Sequence, residues 1–134
     1  MKILLEPIDK YTLDYIFATR LNKDTTNLNV KRYRSIFLKD KDSFKTILID
    51  DKIIGVIGFL SSIHGLCGYL VLTNNFKRYY KTGTKLGKQL LKDIKAPVYF
   101  TKHHNIEYIN KWYRLLGFEL DPDFNIWIRR YKND

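Results

Sequence analysis

Apolar positions along this chain follow two rhythms, and their alternation predicts where strands give way to helices. Leu13, Ile16, Phe17 and Leu21 recur at helical spacing behind Asp9, a capping residue. Val30, Tyr33 and Phe37 form one side of a second helix whose other sides carry Lys31, Arg32 and Arg34. Leu86, Leu90, Leu91 and Ile94 form the stripe of a third, delivered by a loop over 74–84 and ended at Lys95-Ala96-Pro97, because proline removes a donor. Ile106, Ile109, Trp112, Tyr113, Leu115 and Leu116 belong to a fourth, with Asn105 as its cap and Gly117 as its C-terminal stop.

Between these helices the pattern is extended. Lys2–Leu5 reads as a short strand stopped by Pro7. Phe44–Ile49 and Ile53–Leu60 are β-branched runs joined by Asp50-Asp51-Lys52, the signature of a tight hairpin. Gly55 and Gly58 mark a bulge or a close backbone approach. His64–Thr73, Val98–Thr101, the stretch from Phe118 to Leu120 and Phe124–Tyr131 complete the set, with a turn at Asp121-Pro122-Asp123. The order β-α-α-β-β-β-α-β-α-β-β mixes hairpins with crossovers. It predicts an α/β (α+β) fold with a mixed, mostly antiparallel sheet of six to seven strands and four helices, in one domain over 1–134.

Chemistry enters at one place above all. The apolar run Tyr69–Thr73 leads to Tyr80-Lys81-Thr82-Gly83-Thr84-Lys85-Leu86-Gly87-Lys88, where a basic, glycine-containing segment opens a helix. Such a strand–loop–helix junction is suited to phosphate, because amides and the helix dipole converge on the anion. Neither a complete P-loop nor a dinucleotide fingerprint is present.

Composition narrows the classes. The 134 residues are 45% hydrophobic and 15% aromatic, enough for a folded core. No apolar run reaches the ~20 residues of a membrane span. Glu6 and Pro7 interrupt any secretory apolar segment, so the expectation is a cytoplasmic protein without a membrane partner. The single cysteine, Cys67, excludes an internal disulfide, and no residue cluster has metal-ligand spacing. Cys67 sits in an apolar segment and reads as a small core residue. A formal charge of +10 implies an anionic partner: a phosphorylated cofactor, nucleic acid or an acidic protein surface. The joint abundance of Ile, Lys, Asn and Tyr is also the bias of an AT-rich genome, which would fit a phage or mobile-element origin, with the host cytoplasm or virion as location.

Four local features, read together, resemble the GCN5-related N-acetyltransferase (GNAT) superfamily. The hairpin from Ile47 to Gly58 is similar to that family's second and third strands, and Gly68–Leu72 to its fourth. Thr82–Gly87 occupies the position of the acyl-CoA pyrophosphate loop, and Tyr113-Arg114-Leu115-Leu116-Gly117-Phe118 resembles the family's Tyr-x-x-x-Gly-Phe ending of the fourth helix. The family loop is usually Arg or Gln, two variable residues, Gly, any residue, then Gly or Ala. Here Thr82 stands at the Arg/Gln position and Lys85 at the first Gly, while Gly87 is retained.

The resemblance implies an acyl-CoA-dependent N-acyltransferase, with acetyl-CoA the simplest donor and direct attack by an amine acceptor, a small molecule or a protein. It implies backbone contacts to the donor from Leu70 and Leu72, and phosphate contacts from the segment Lys81, Thr82, Gly83, Thr84, Lys85, Leu86, Gly87 and Lys88. Lys77 and Arg78 could reach the 3′-phosphate of CoA. Tyr113 matches the tyrosine that protonates the departing thiolate, with Tyr108 in reserve. His103 and His104 are candidate bases beside the cleft, as is His64 before the fourth strand. Asn105 lies near an asparagine that many relatives use toward the cofactor, or is simply a helix cap. Dimers are common in such domains. Two other readings stand beside this one. One is a catalytically silent GNAT-fold binding or structural protein. The other is a basic nucleic-acid binder using Lys31-Arg32-Tyr33-Arg34 and Lys77-Arg78-Tyr79-Tyr80.

Overall fold

The computed structural model describes residues 1–21, 23, 28–103 and 106–131. Its elements are β1 (Ile3–Pro7), α1 (Lys10–Ala18), α2 (Val30–Lys39), β2 (Phe44–Ile49), β3 (Lys52–Ser62), β4 (Gly65–Leu72), α3 (Tyr80–Lys92), β5 (Val98–Thr101), α4 (Glu107–Leu115), β6 (Glu119–Asp121) and β7 (Ile126–Arg129). The order is the one expected from the hydrophobic pattern. Short 3-10 turns at Lys41–Ser43 and Asn74–Lys77 lead into β2 and α3. All seven strands form one sheet in the order β1-β2-β3-β4-β5-β7-β6, antiparallel at every junction except β4–β5.

Local chemistry explains the boundaries. The Asp9 carboxylate accepts from the Thr12 amide at 2.8 Å and starts α1, and the Asn29 side chain accepts from the Arg32 amide at 3.0 Å and starts α2. Asp50 and Asp51 hold φ of 48° and 65° while Ile49 pairs with Lys52, so the β2–β3 hairpin turns on two residues. The register slips between Ile47 and Leu48, opposite Gly55, which is the expected bulge. A Cβ on Gly55 would lie 2.3 Å from the Val71 carbonyl, and one on Gly58 2.2 Å from the Phe44 ring.

Four expectations are corrected. Pro7 ends β1 inside the sheet, paired with Lys45, because an edge strand tolerates a missing donor. Helix α3 begins at Tyr80, so the loop expected over 74–84 is shorter, and Thr82–Gly87 lies within the helix's first two turns. Leu115 is exposed, at 45%, where a place on the apolar face was expected. Helix α4 starts at Glu107 with Ile106 as its cap position, and Asn105 falls outside the described residues.

The sheet separates two cores. On one face α1 and α2 bring Leu13, Ile16, Phe17, Tyr33 and Phe37 against Phe44, Val56 and Val71. On the other, α3 and α4 bring Leu86, Leu91, Ile109, Trp112, Tyr113 and Leu116 against Leu70, Leu72, Val98, Phe100 and Trp127. β4 alternates between them: Tyr69 and Val71 face α1 and α2, Leu70 and Leu72 face α3 and α4. Among the described residues no helix is long and apolar enough to cross a membrane.

Candidate functional site

The site begins where the sheet parts. β4 and β5 pair in parallel only from Leu66 opposite Val98 to Gly68 opposite Phe100. Beyond Gly68 the ladder stops although β4 runs on to Leu72. The Thr73 amide donates to the Ile54 carbonyl at 2.9 Å, so by strand alternation the peptide groups of Leu70 and Leu72 turn away from β3. The Leu72 carbonyl is taken by the Leu21 amide at 2.8 Å. Among the described residues the outward N–H and C=O of Leu70 have no backbone partner, on a strand edge that faces the gap.

Two cavities meet at this gap. On the α3/α4 side a narrow one of about 10 Å³ is lined by Leu70, Leu72, Thr101, His103, Ile109, Tyr113 and Trp127. On the α1/α2 side a pocket of about 610 Å³ is floored by Cys67, Tyr69, Tyr99 and Ile126 and walled by Tyr33 and His103. Thr101 and His103 line both. The wide pocket exists because α1 and α2 cover β4 but not β5, whose Tyr99 and Thr101 face outward on that side. Cys67, expected in the core, is half-buried in the pocket floor.

The polar groups at the junction are aromatic and imidazole. The Tyr33 hydroxyl and His103 Nε2 are hydrogen-bonded at 2.5 Å, with the rings edge-on at 5.1 Å. Burial pushes the Tyr33 phenol up to about 12, against smaller opposing effects of the Thr101 side chain and the Arg32 charge. Tyr113 stacks on Trp127 at 5.1 Å and 14°, and meets Phe100 and Phe118 edgewise or tilted. Burial pushes its phenol well up, with nearby Tyr33 adding to the shift. Both phenols therefore stay protonated across physiological pH.

Tyr113 also has a purely structural role. The Phe118 amide donates to the Tyr113 carbonyl and the Gly117 amide to that of Arg114, both at 3.0 Å, with Gly117 at φ 92°. This is a Schellman cap, completed by the Tyr113–Phe118 ring contact at 5.5 Å. Helix termination thus accounts for the spacing of residues 113, 117 and 118 through the carbonyl and ring of Tyr113, and makes no use of its hydroxyl.

Helix α3 arranges the basic segment differently from a loop. Lys81, Lys85, Lys88 and Lys92 recur at i, i+4, i+7 and i+11, and all four are exposed, forming one solvated ridge. Gly83 and Gly87 turn inward. A Cβ on Gly83 would lie 2.8 Å from the Phe76 ring, and one on Gly87 3.0 Å from Leu116 Cδ2. The two glycines let α3 sit close on its neighbours, and Leu86 is buried beside them. Thr84 returns its hydroxyl to the Tyr80 carbonyl, and the Thr82 hydroxyl meets Met1 Sδ at 3.1 Å. The helix start at Tyr79 has no side-chain cap, so the first-turn amides of Tyr80, Lys81 and Thr82 face outward without one. Beside them Lys77, Tyr80, Tyr108 and Lys111 line an open hollow of about 470 Å³, in which the Tyr80 hydroxyl donates to the Tyr108 carbonyl at 3.1 Å. Arg78 lies over the Tyr79 ring at 5.6 Å.

Of the other candidates, His64 is exposed at the pocket rim, with its carbonyl accepting from the Tyr99 hydroxyl at 2.8 Å. His104 and Asn105 lie outside the described residues. Among the described residues no group of His, Cys, Asp or Glu could hold a metal ion. Neither Tyr33 nor Thr101 was expected in this site: the sequence offered Tyr33 only on an apolar helix face and in the basic patch over 31–34, and Thr101 only as the end of a strand. Tyr33 reads as an ordinary apolar-face residue beside Phe37. The one available signal was that a buried phenol needs a partner for its hydroxyl.

No family model matches the chain, and no curated protein matches it. Solved structures do. Ard1 from Thermoplasma volcanium superposes with a TM-score of 0.68 at 9% identity, covering 99% of this chain and 100% of the other. A GNAT-family acetyltransferase from Staphylococcus aureus gives 0.66 at 13%, covering 98% and 100%. Aminoglycoside acetyltransferase AAC(6′)-Ib, solved in complex with coenzyme A, gives 0.61 at 14%, covering 96% and 95%. The chain therefore has the GNAT acetyltransferase fold at low sequence identity.

Proposed function

We propose that this protein is an acyl-CoA-dependent N-acyltransferase, an acetyltransferase in its simplest form. One observation carries the reading. A strand edge whose outward Leu70 amide has no backbone partner among the described residues lies between two cavities that share Thr101 and His103, with the Tyr113 phenol on one side and the Tyr33–His103 pair on the other. A thioester in the gap and an amine in the wide pocket would meet at that edge.

The roles follow from chemistry. The acceptor ammonium gives its proton to His103, directly or through the Tyr33 hydroxyl, which passes its own proton to Nε2. The free amine attacks the acyl carbon, and the developing oxyanion takes a hydrogen bond from the Leu70 amide. The C–S bond breaks, the electron pair leaves on sulfur, and Tyr113 supplies the proton that makes the thiol. Nitrogen loses two protons in all, one to His103 before the attack and one from the tetrahedral adduct as it collapses; sulfur gains one from Tyr113, whose phenolate takes up the second, and His103 releases the remaining proton to water. For the donor's phosphates, the uncapped amides at Tyr80, Lys81 and Thr82 and the lysines at 77, 81, 85, 88 and 111 supply the charge. Gly83, Thr84, Leu86 and Gly87 contribute by setting how closely α3 packs.

The second reading, a catalytically silent GNAT-fold module, is favoured by the same cleft's width. A cavity of about 10 Å³ admits one water, not a pantetheine arm, until side chains move. Isothermal titration with acetyl-CoA decides between them. Micromolar-range binding supports the transferase, and the absence of heat or thermal shift at millimolar ligand sinks it. The solvated lysine ridge on α3 leaves the nucleic-acid reading with charge alone, and binding that ignores salt would exclude it.

A further inference from the structure

The wide pocket has a chemical bias of its own. Its described lining contains two permanent cations, Arg32 and Lys102, and two imidazoles, His64 and His103, but no Asp or Glu. The neighbouring cation on α2, Arg34, is neutralised by an ion pair with Asp14, whereas Arg32 belongs to neither ion pair among the described residues. Arg32 projects from α2 beside Tyr33, close enough for its charge to act on that phenol. The floor beneath is flat and apolar, built from Tyr69, Tyr99 and Ile126. Tyr99 is held in place by the bond from its hydroxyl to the His64 carbonyl.

We infer that the pocket takes an amine that carries its own carboxylate, and disfavours polycationic amines. This rests on the transferase reading for its reaction, but not for its binding. The amine end approaches Tyr33 and His103 at the junction, the apolar body lies on the tyrosine floor, and the carboxylate is met by Arg32 or Lys102. A guanidinium recognises a carboxylate through two parallel hydrogen bonds, a geometry that an ammonium cannot imitate. A diamine of the same length would instead bring a second positive charge to a positive rim whose described residues hold no carboxylate to receive it.

A matched pair of small amines tests this without turnover. 4-Aminobutyrate and putrescine have the same four-carbon spacing and differ in the far group, carboxylate against ammonium. Titration of the protein alone, followed by NMR shifts of the pocket residues, is expected to show 4-aminobutyrate binding at least tenfold tighter than putrescine. That preference should shrink at high salt. Arg32→Glu, a substitution at an exposed helix position, should reverse the order while leaving the fold intact. Equal binding of the two amines, or tighter putrescine binding, overturns the inference. Acetyl-CoA turnover with the same pair keeps the two claims apart. Turnover that prefers putrescine leaves the transferase standing and removes the acidic acceptor. Selective 4-aminobutyrate binding without acetyl-CoA binding does the reverse. Peptides beginning with Asp or Lys identify the source: preference for the Asp peptide over 4-aminobutyrate points to a protein N-terminus carrying the same chemistry, and preference for the Lys peptide counts against the inference.

Discussion

The two faces of the sheet receive two helices each, yet they end up in opposite states. Against α3 and α4 the sheet is filled: Trp127 is 1% exposed, Phe100 5%, and the cavity beside Tyr113 holds about 10 Å³. Against α1 and α2 the same strands are covered only as far as β4, and the uncovered end of β5 becomes a pocket of about 610 Å³. The difference is one of reach. Because side chains alternate along β5, Val98 and Phe100 face the filled core while Tyr99 and Thr101 face the hollow. Open space arises where the helices stop short, and rigidity arises where they do not.

Substitutions should hurt the two faces unequally. The largest effect is expected from Trp127→Ala, which removes the ring stacked on Tyr113 and opens the filled side, costing about 3–5 kcal/mol. Thermal unfolding should show a Tm lower by roughly 10 °C or more. Thr101→Ala, facing the hollow, should change Tm little. Comparable losses from both would dissolve the distinction between the faces.

Alkaline unfolding probes the boundary between them. Tyr33 ionises near 10 in an unfolded chain and at about 12 in the fold, so the folded state holds its proton longer. Its contribution is complete below pH 10 and is lost as pH rises from about 10 to about 12, amounting to roughly 3 kcal/mol. Denaturant midpoints measured across that range should fall for the native protein. Tyr33→Phe should flatten the fall by the share that this phenol carries. An unchanged slope in the variant would mean that Tyr33 is not desolvated as described.

How much of this was legible in the sequence depends on the range of the forces involved. The element order was, because helix and strand periods are local and Asp9, Asn29, Asp50-Asp51 and Gly117 punctuate them with side-chain or φ chemistry. The start of α3 was not. Lys85 looked like a lost phosphate-loop glycine, but the helix begins at Tyr80, and Lys85 falls on its exposed ridge. Gly83 and Gly87 serve instead the close fit of the helix against Phe76 and Leu116, residues seven and 29 positions away in sequence. Tyr33 was legible as buried and illegible as part of a site, since its partner His103 lies 70 residues downstream. Local pattern can assign a residue to a face. Only tertiary packing says what its hydroxyl meets.

The chemistry gives the next test of the contrast. Tyr113→Phe keeps the ring stack and the helix cap while removing one proton donor from the filled side. It should lower kcat about 100-fold with Tm nearly unchanged. His103→Ala acts at the junction and should lower kcat while leaving acetyl-CoA affinity intact. If Tyr113→Phe retained full turnover, the motif would owe its presence to capping alone.

The smallest expected effect isolates that capping. A Cβ on Gly117 meets nothing within 4 Å, so the substitution creates no clash, and the cost of Gly117→Ala comes only from forcing φ 92° on a residue that resists it. About 1 kcal/mol is expected, seen as a shift of denaturant midpoint without a change of slope. Gly117→Asn should lose less, because asparagine tolerates the left-handed region. Gly87→Ala makes the contrasting case on the same face. Its φ is helical, but its new methyl lies 3.0 Å from Leu116 Cδ2 and must displace that side chain. A midpoint shift that is equal for alanine and asparagine at Gly117 would mean that backbone strain is not what the glycine relieves. The Tyr113 carbonyl would then owe its position to the packing of Phe118 against the tyrosine ring.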